Sequence, residues 1–264
     1  MSMDFRNVWS VFIISMFILI PLKILFVFGS WFFMSSLMFD IISMAVLVGI
    51  IGCVSFSTTR YKNIDVKKNY ILSFLSILVA VGFFMCIPAY FNDTSNYDFA
   101  WQPLVMSLLS VLSFITFVIL AITFFTGKNI INKLSFFLYC PVLWFALYMI
   151  IFMSIYTNDV NGYEVIAAAL TSLFLVYYTQ VFSTSSNLNI IKLMFIFGMP
   201  SVLFSVLNSI SVIHKMRTNE NISAVTQSTF YTQIFLSLFI IFVLIDAYRQ
   251  YQQRNEPVIK SITI

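Results

Sequence analysis

Residues 9–29, WSVFIISMFILIPLKILFVFG, carry a single charge, Lys23, set two positions after Pro21. An α-helix rises about 1.5 Å per residue and the hydrocarbon core of a bilayer is about 30 Å thick, so roughly 20 apolar residues cross it. This stretch is long enough, and it opens a pattern that recurs along the chain. Apolar runs of similar length occupy 36–57, 70–91, 103–126, 134–156, 163–184, 190–213 and 228–248. Alternation at period two, the mark of a transmembrane barrel, is absent, and the backbone's need for internal hydrogen bonds in lipid leaves only helices. The sequence predicts an all-α, polytopic integral membrane protein, a bundle of eight transmembrane helices.

Composition agrees. Of 264 residues, 61% are hydrophobic and 9% charged, with mean hydropathy +0.97. Soluble domains are about a quarter charged, so this chain has too little polar surface to cover a water-soluble globule. The breaks between runs, such as STTRYKNIDVKKN (57–69) and HKMRTNENISAVTQS (214–228), are short and polar. None is long enough to fold separately, and 1–264 reads as one transmembrane domain.

Lysine and arginine distribution sets orientation. With alternate breaks on alternate sides, one side collects Arg6, Arg60, Lys62, Lys67, Lys68, Lys128, Lys133, Lys192, Arg249, Arg254 and Lys260, and the other only Lys215 and Arg217. The bias predicts both termini in the cytoplasm (N-in/C-in) and a place in the cytoplasmic, or plasma, membrane. Asp93, Asp98, Asp159, Glu164 and Glu220 then fall outside. Trp9, Trp31, Tyr90, Trp101, Tyr156, Tyr163, Tyr248 and Tyr251 sit at the boundaries, where amphipathic rings prefer to lie. The first span reads as a retained signal anchor: its apolar run is too long for a cleavable leader and FGSWFF is a poor cleavage site. The net charge of +4 reflects basic loops near anionic lipid, so no nucleic-acid partner is implied.

Chemistry-bearing residues are sparse. Intramembrane hydrolysis needs paired acids, a nucleophile with a base, or a metal. No span holds two acids, and the lone His214 lies at a helix end. Cys53, Cys86 and Cys140 form no C-x-x-C and read as buried small hydrophobes. No catalytic, cofactor-binding or metal-ligating set is expected, and the chain reads as a non-enzyme.

Three features remain. Lys23 and Asp40 lie at similar depth across the first hairpin. They read as a local pair or a snorkelling lysine, with a ligand or ion site as the alternative. IFGMPS (196–201), around Gly198 and Pro200, is a candidate hinge, one of four prolines (Pro21, Pro88, Pro141, Pro200) that fall in odd-numbered spans. Arg60, Lys62, Lys67 and Lys68 make a candidate cytoplasmic docking patch. Spans 2 and 6 also share a layout, a carboxylate at the start (Asp40, Glu164) and Phe-Ser-Thr at the end (56–58, 182–184), which suggests a weak four-plus-four repeat, 1–126 and 134–250.

Two function classes stay open. One is a transporter, permease subunit or other solute- or lipid-handling component. The other is a membrane-embedded interaction protein (an assembly factor, immunity or sensor subunit). Besides the bilayer, a cytoplasmic or membrane partner subunit is a candidate partner.

Overall fold

A computed structural model describes residues 5–29, 36–56, 67–92, 101–130, 136–155, 162–182, 189–218 and 223–260. Among them are eight helices and no strand: α1 (Phe5–Phe28), α2 (Ser36–Phe56), α3 (Tyr70–Asn92), α4 (Trp101–Thr126), α5 (Tyr139–Ile155), α6 (Gly162–Phe182), α7 (Asn189–Arg217) and α8 (Ala224–Lys260). Seven are long and apolar enough to cross a bilayer. The exception is α5, at 17 residues. The sequence predicts a longer span there, from 134, but Pro141 lies in the helix's first turn, where its missing N–H leaves no bond unmade. Residues 136–138 approach it as a 3₁₀ turn.

Helices α3 to α8 pack as a closed ring in the order α4, α3, α8, α7, α6, α5 and back to α4. Helices α1 and α2 stand outside it, their backbones close to α7 and to each other, with side chains that reach further into the ring. The difference shows in burial: 78% of the most apolar window of α7 is buried, against 17% for α1 and 22% for α2. Helix α2 has no neighbour in α3, whereas α6 packs closely along α7.

The ring's centre is filled by aromatic side chains, and these join helices that are not neighbours in it. Phe239 of α8 meets Phe117 of α4 edge-on at 5.6 Å and Tyr178 of α6 at 5.7 Å. Phe83 of α3 meets Trp144 of α5 at 5.3 Å. The outer surface is apolar in the opposite sense to a soluble protein: Phe17, Val48, Phe74, Leu104, Phe136 and Ile150 are largely exposed. Buried polar side chains are mostly hydroxyls that donate to the carbonyl one turn back, as Ser76 does to Leu72 (2.7 Å) and Thr123 to Ile119 (2.8 Å).

One end of the bundle is tied by polar contacts. The Asn69 side chain accepts from the amides of Ile71 and Leu72 (3.1 and 3.2 Å), capping α3. Its backbone N–H donates to the Phe124 carbonyl (2.9 Å), and its amide reaches Asp246 of α8 (3.4 Å). Gly127, at φ +70°, closes α4 beside Lys68 in a conformation that favours glycine. At the same end Lys192 donates to the Ser55 carbonyl, and Trp9 of α1 packs on Phe195 and Tyr248. The start of α1 and the end of the α8 span therefore share one face of the bundle.

Close approach of α3 to α8 requires Gly82. A Cβ there would stand 2.9 Å from the Thr232 Cα, whereas Gly49 and Gly52 of α2 have open space around them. Gly82→Ala should destabilise the protein by about 1–3 kcal/mol, as overpacking does, and Gly52→Ala by less than about 0.5 kcal/mol. Thermal unfolding in detergent measures both; equal effects would deny the close contact.

Candidate functional site

Lys23 is buried, with 6% of its surface exposed. Its ammonium lies over the rings of Tyr163 (4.3 Å to the centroid), Phe39 (4.9 Å) and Phe26 (5.8 Å). Aromatic faces carry partial negative charge, and a desolvated cation over one gains about 2 kcal/mol. Asp40 is close by but forms no direct ion pair with Lys23 within 4.0 Å; it instead accepts a hydrogen bond from the Tyr163 hydroxyl, which also approaches Ser43 Oγ at 3.5 Å. The two charges that the sequence places at one depth do reach one site, and Tyr163 of α6 stands between them. Phe204 of α7 stacks on the far side of this group, 5.8 Å from Tyr163. The lysine cage thus fastens the α1–α2 hairpin to the ring.

A second site was not legible as such. Glu164, placed by sequence among outer acidic residues, is 6% exposed and accepts a hydrogen bond from the Tyr148 hydroxyl of α5. It lies in the first turn of α6, where unpaired backbone N–H groups favour a carboxylate. Tyr148 is held by Trp144, stacked at 5.4 Å and 6°, and the Trp144 indole N–H donates to Ser110 Oγ of α4 (2.8 Å). Thr229 of α8 is within hydrogen-bonding range of the Tyr148 phenol, and Lys215 acts on Glu164 through space. One turn along α8, Gln233 accepts from the Asn208 amide (3.2 Å), while its own side-chain nitrogen is buried without a partner. The signal available in the sequence was Glu164 beside Tyr163, directly at the start of an apolar run. Only packing shows that its side chain turns inward.

Gly198 and Pro200 lie inside a continuous α7, at its tightest seam. A Cβ on Gly198 would meet Phe174 of α6 at 2.8 Å and Leu244 of α8 at 3.1 Å. Directly after Pro200, Ser201 shares a hydrogen bond with Thr171 of α6 (2.7 Å). Lys67 and Lys68 are exposed, the latter over Tyr70 (5.0 Å) and Phe125 (5.9 Å); Arg60 and Lys62 lie outside the described residues. All three cysteines are free, and Cys86 shares a hydrogen bond with Thr232 (3.4 Å).

A polar, hydrogen-bonded interior inside an apolar shell is the construction of a helical multi-pass membrane protein, and this chain is one. No family model, no curated protein and no solved structure matches it.

If Tyr163 links Lys23 to Asp40, then Lys23→Met and Asp40→Asn should be non-additive by about 0.5–1.5 kcal/mol. In a Tyr163→Phe background the ring face remains but the bond to Asp40 is lost, and that coupling should fall towards zero. Denaturation of the four variants in each background measures it. Undiminished coupling with phenylalanine would refute the link.

Proposed function

We propose that this protein is a non-enzymatic transport component, a transporter, permease subunit or other solute- or lipid-handling protein. In this reading it makes eight crossings of the cytoplasmic membrane with both termini inside. The observation that supports it is the closed ring of six helices that turns hydroxyl, amide and carboxyl groups inward and shields them from lipid. Stability alone does not call for Glu164, Asn208 and Gln233 in that interior; polar and ionisable groups there ordinarily line a solute path or a binding site. The aromatic centre, with Phe83, Phe117, Trp144 and Phe239, then acts as the barrier of a closed state. The excess of basic residues on one side supports the orientation.

Cysteine accessibility tests this in a background without Cys53, Cys86 and Cys140. Ser113→Cys and Ser205→Cys, both at fully or almost fully buried positions of the ring, should react with a membrane-impermeant thiol reagent, because a transport path must admit water. Val48→Cys, on the lipid-facing side of α2, should not. Cysteines at Asn63 and Thr157 should label from the cytoplasm and the exterior respectively. Interior positions as inert as Val48→Cys under all conditions would overturn the transport reading, and labelling of Asn63 and Thr157 from one side would overturn the topology.

The second reading, an interaction protein, draws on the exposure of Lys67 and Lys68 at the tied end of the bundle. Reversing both to Glu should weaken recovery of a co-purifying partner several-fold with membrane insertion unchanged. Unchanged recovery would leave these lysines as topology determinants alone.

A further inference from the structure

We propose that the tied end of the α3–α4 seam binds one anionic phospholipid, with Lys68 and Lys128 on its phosphate and the exposed apolar side chains beyond them along its acyl chains. The argument begins with unmatched charge. Lys67, Lys68 and Lys128 are all exposed, and among the described residues none of the three makes an ion pair. Asp246 of α8 lies at the same end, but it accepts from the amides of Asn69 (3.4 Å) and Gln250 (2.9 Å).

Lys68 is held in place. Its ammonium stands over the ring of Tyr70 (5.0 Å to the centroid) and the ring of Phe125 (5.9 Å), and those rings meet edge-on at 5.7 Å. These distances bring a charge, an α3 ring and an α4 ring together. An ammonium carries three N–H donors, and Lys68 spends none of them on a hydrogen bond to the described residues. The backbone beneath is fixed as well. The Asn69 N–H donates to the Phe124 carbonyl (2.9 Å), and a Cβ on Gly127 would stand 3.2 Å from the Lys68 nitrogen. Lys128 follows Gly127 directly, and its own N–H donates to the Thr126 hydroxyl (3.3 Å). The two lysines therefore leave the chain from segments whose backbones touch.

What lies beside these cations selects the ligand. Tyr70 and Phe125 are 59% and 57% exposed, and Ile71, Phe74 and Ile122 continue the exposed apolar surface along the same two helices. Further along the seam Phe84 of α3 meets Phe114 of α4 at 5.8 Å. From Tyr70 to Phe84 α3 rises about 21 Å, so the surface follows the seam well into the hydrocarbon layer. A soluble phosphate would use the lysines alone, whereas a lipid uses both parts. A zwitterionic headgroup brings no net charge to the lysines; an anionic one does. General attraction of basic loops to an anionic leaflet depends on the number of charges. This site depends also on which lysine is charged and on the rings that hold it.

The inference stands on this geometry and not on the transport reading. The full chain in nonionic detergent is unfolded thermally while dioleoyl phosphatidylglycerol, dioleoyl phosphatidylcholine or inorganic phosphate is titrated in. Each tenfold rise in phosphatidylglycerol above its dissociation constant should raise the wild-type Tm by about 3–5 °C, and phosphatidylcholine should raise it less. Lys68→Gln and Lys128→Gln should need several-fold more phosphatidylglycerol, and so should Phe125→Leu, which keeps every charge. Lys192→Gln removes the same charge from α7, which shares no contact with α3 or α4, and should respond as the wild type does. Equal responses to the two lipids would overturn the site, as would Lys68→Gln behaving like the wild type or Lys192→Gln losing as much as Lys68→Gln. A rise with inorganic phosphate matching that with phosphatidylglycerol would overturn the lipid in favour of a free anion. Loss of a co-purifying protein from Lys68→Gln with its lipid response intact would give the patch to a protein partner instead. Should Phe125→Leu fail to fold, the comparison of Lys68→Gln with Lys192→Gln decides alone.

Discussion

Phe239 meets Phe117, Phe124 and Tyr178, and through Phe117 it joins Phe83 and Trp144. The rest of the structure depends on this chain of rings. Six helices closed into a ring leave a wider centre than a four-helix bundle does, and a void there would forfeit the dispersion contacts on which membrane helices rely. Aromatic side chains span the gap and add about 0.5–1.5 kcal/mol per favourable pair beyond their buried area. They also couple α8 to α4 and α6, with which it shares no backbone contact.

Around this centre the helices approach as closely as their smallest residues permit. Gly82 admits α8 to α3, and Gly198 admits Phe174 and Leu244 to α7. Hydroxyls that face inward satisfy themselves on their own helix or across to a neighbour, as Ser73 does on the Ala121 carbonyl (2.8 Å). Few buried polar atoms are left over, and Gln233 supplies one of them, next to Asn208.

The two charged sites answer the same constraint differently. In the hairpin cage, the cation is met by ring faces and the anion by a phenol, with Tyr163 serving both. In the Glu164 site a phenol is again the donor, but no basic side chain among the described residues pairs with Glu164 within 4.0 Å. Adjacent residues of α6 thus look in different directions: Tyr163 towards the outer hairpin, Glu164 towards α5 and the ring.

Much of the fold was legible because a bilayer imposes it locally. The positions of the apolar runs and the absence of strands follow from the need to satisfy every backbone group within a segment. The start of α5 at Tyr139, with Pro141 in its first turn, and the extension of α8 to residue 260 were not read, since first-turn prolines and polar helix ends carry no hydropathy signal. Asp40 and Lys23 could be placed at one depth by counting residues from a turn, yet Tyr163, 123 positions from Asp40, could not be placed between them. Glu164 was read as an outer-loop acid for the same reason. Sequence alone determined which segments leave water, because transfer from water depends on each segment's own side chains. Which face of each helix turns inward, and which side chains meet a buried charge, only the tertiary structure decided, because those depend on contacts between segments far apart in the chain.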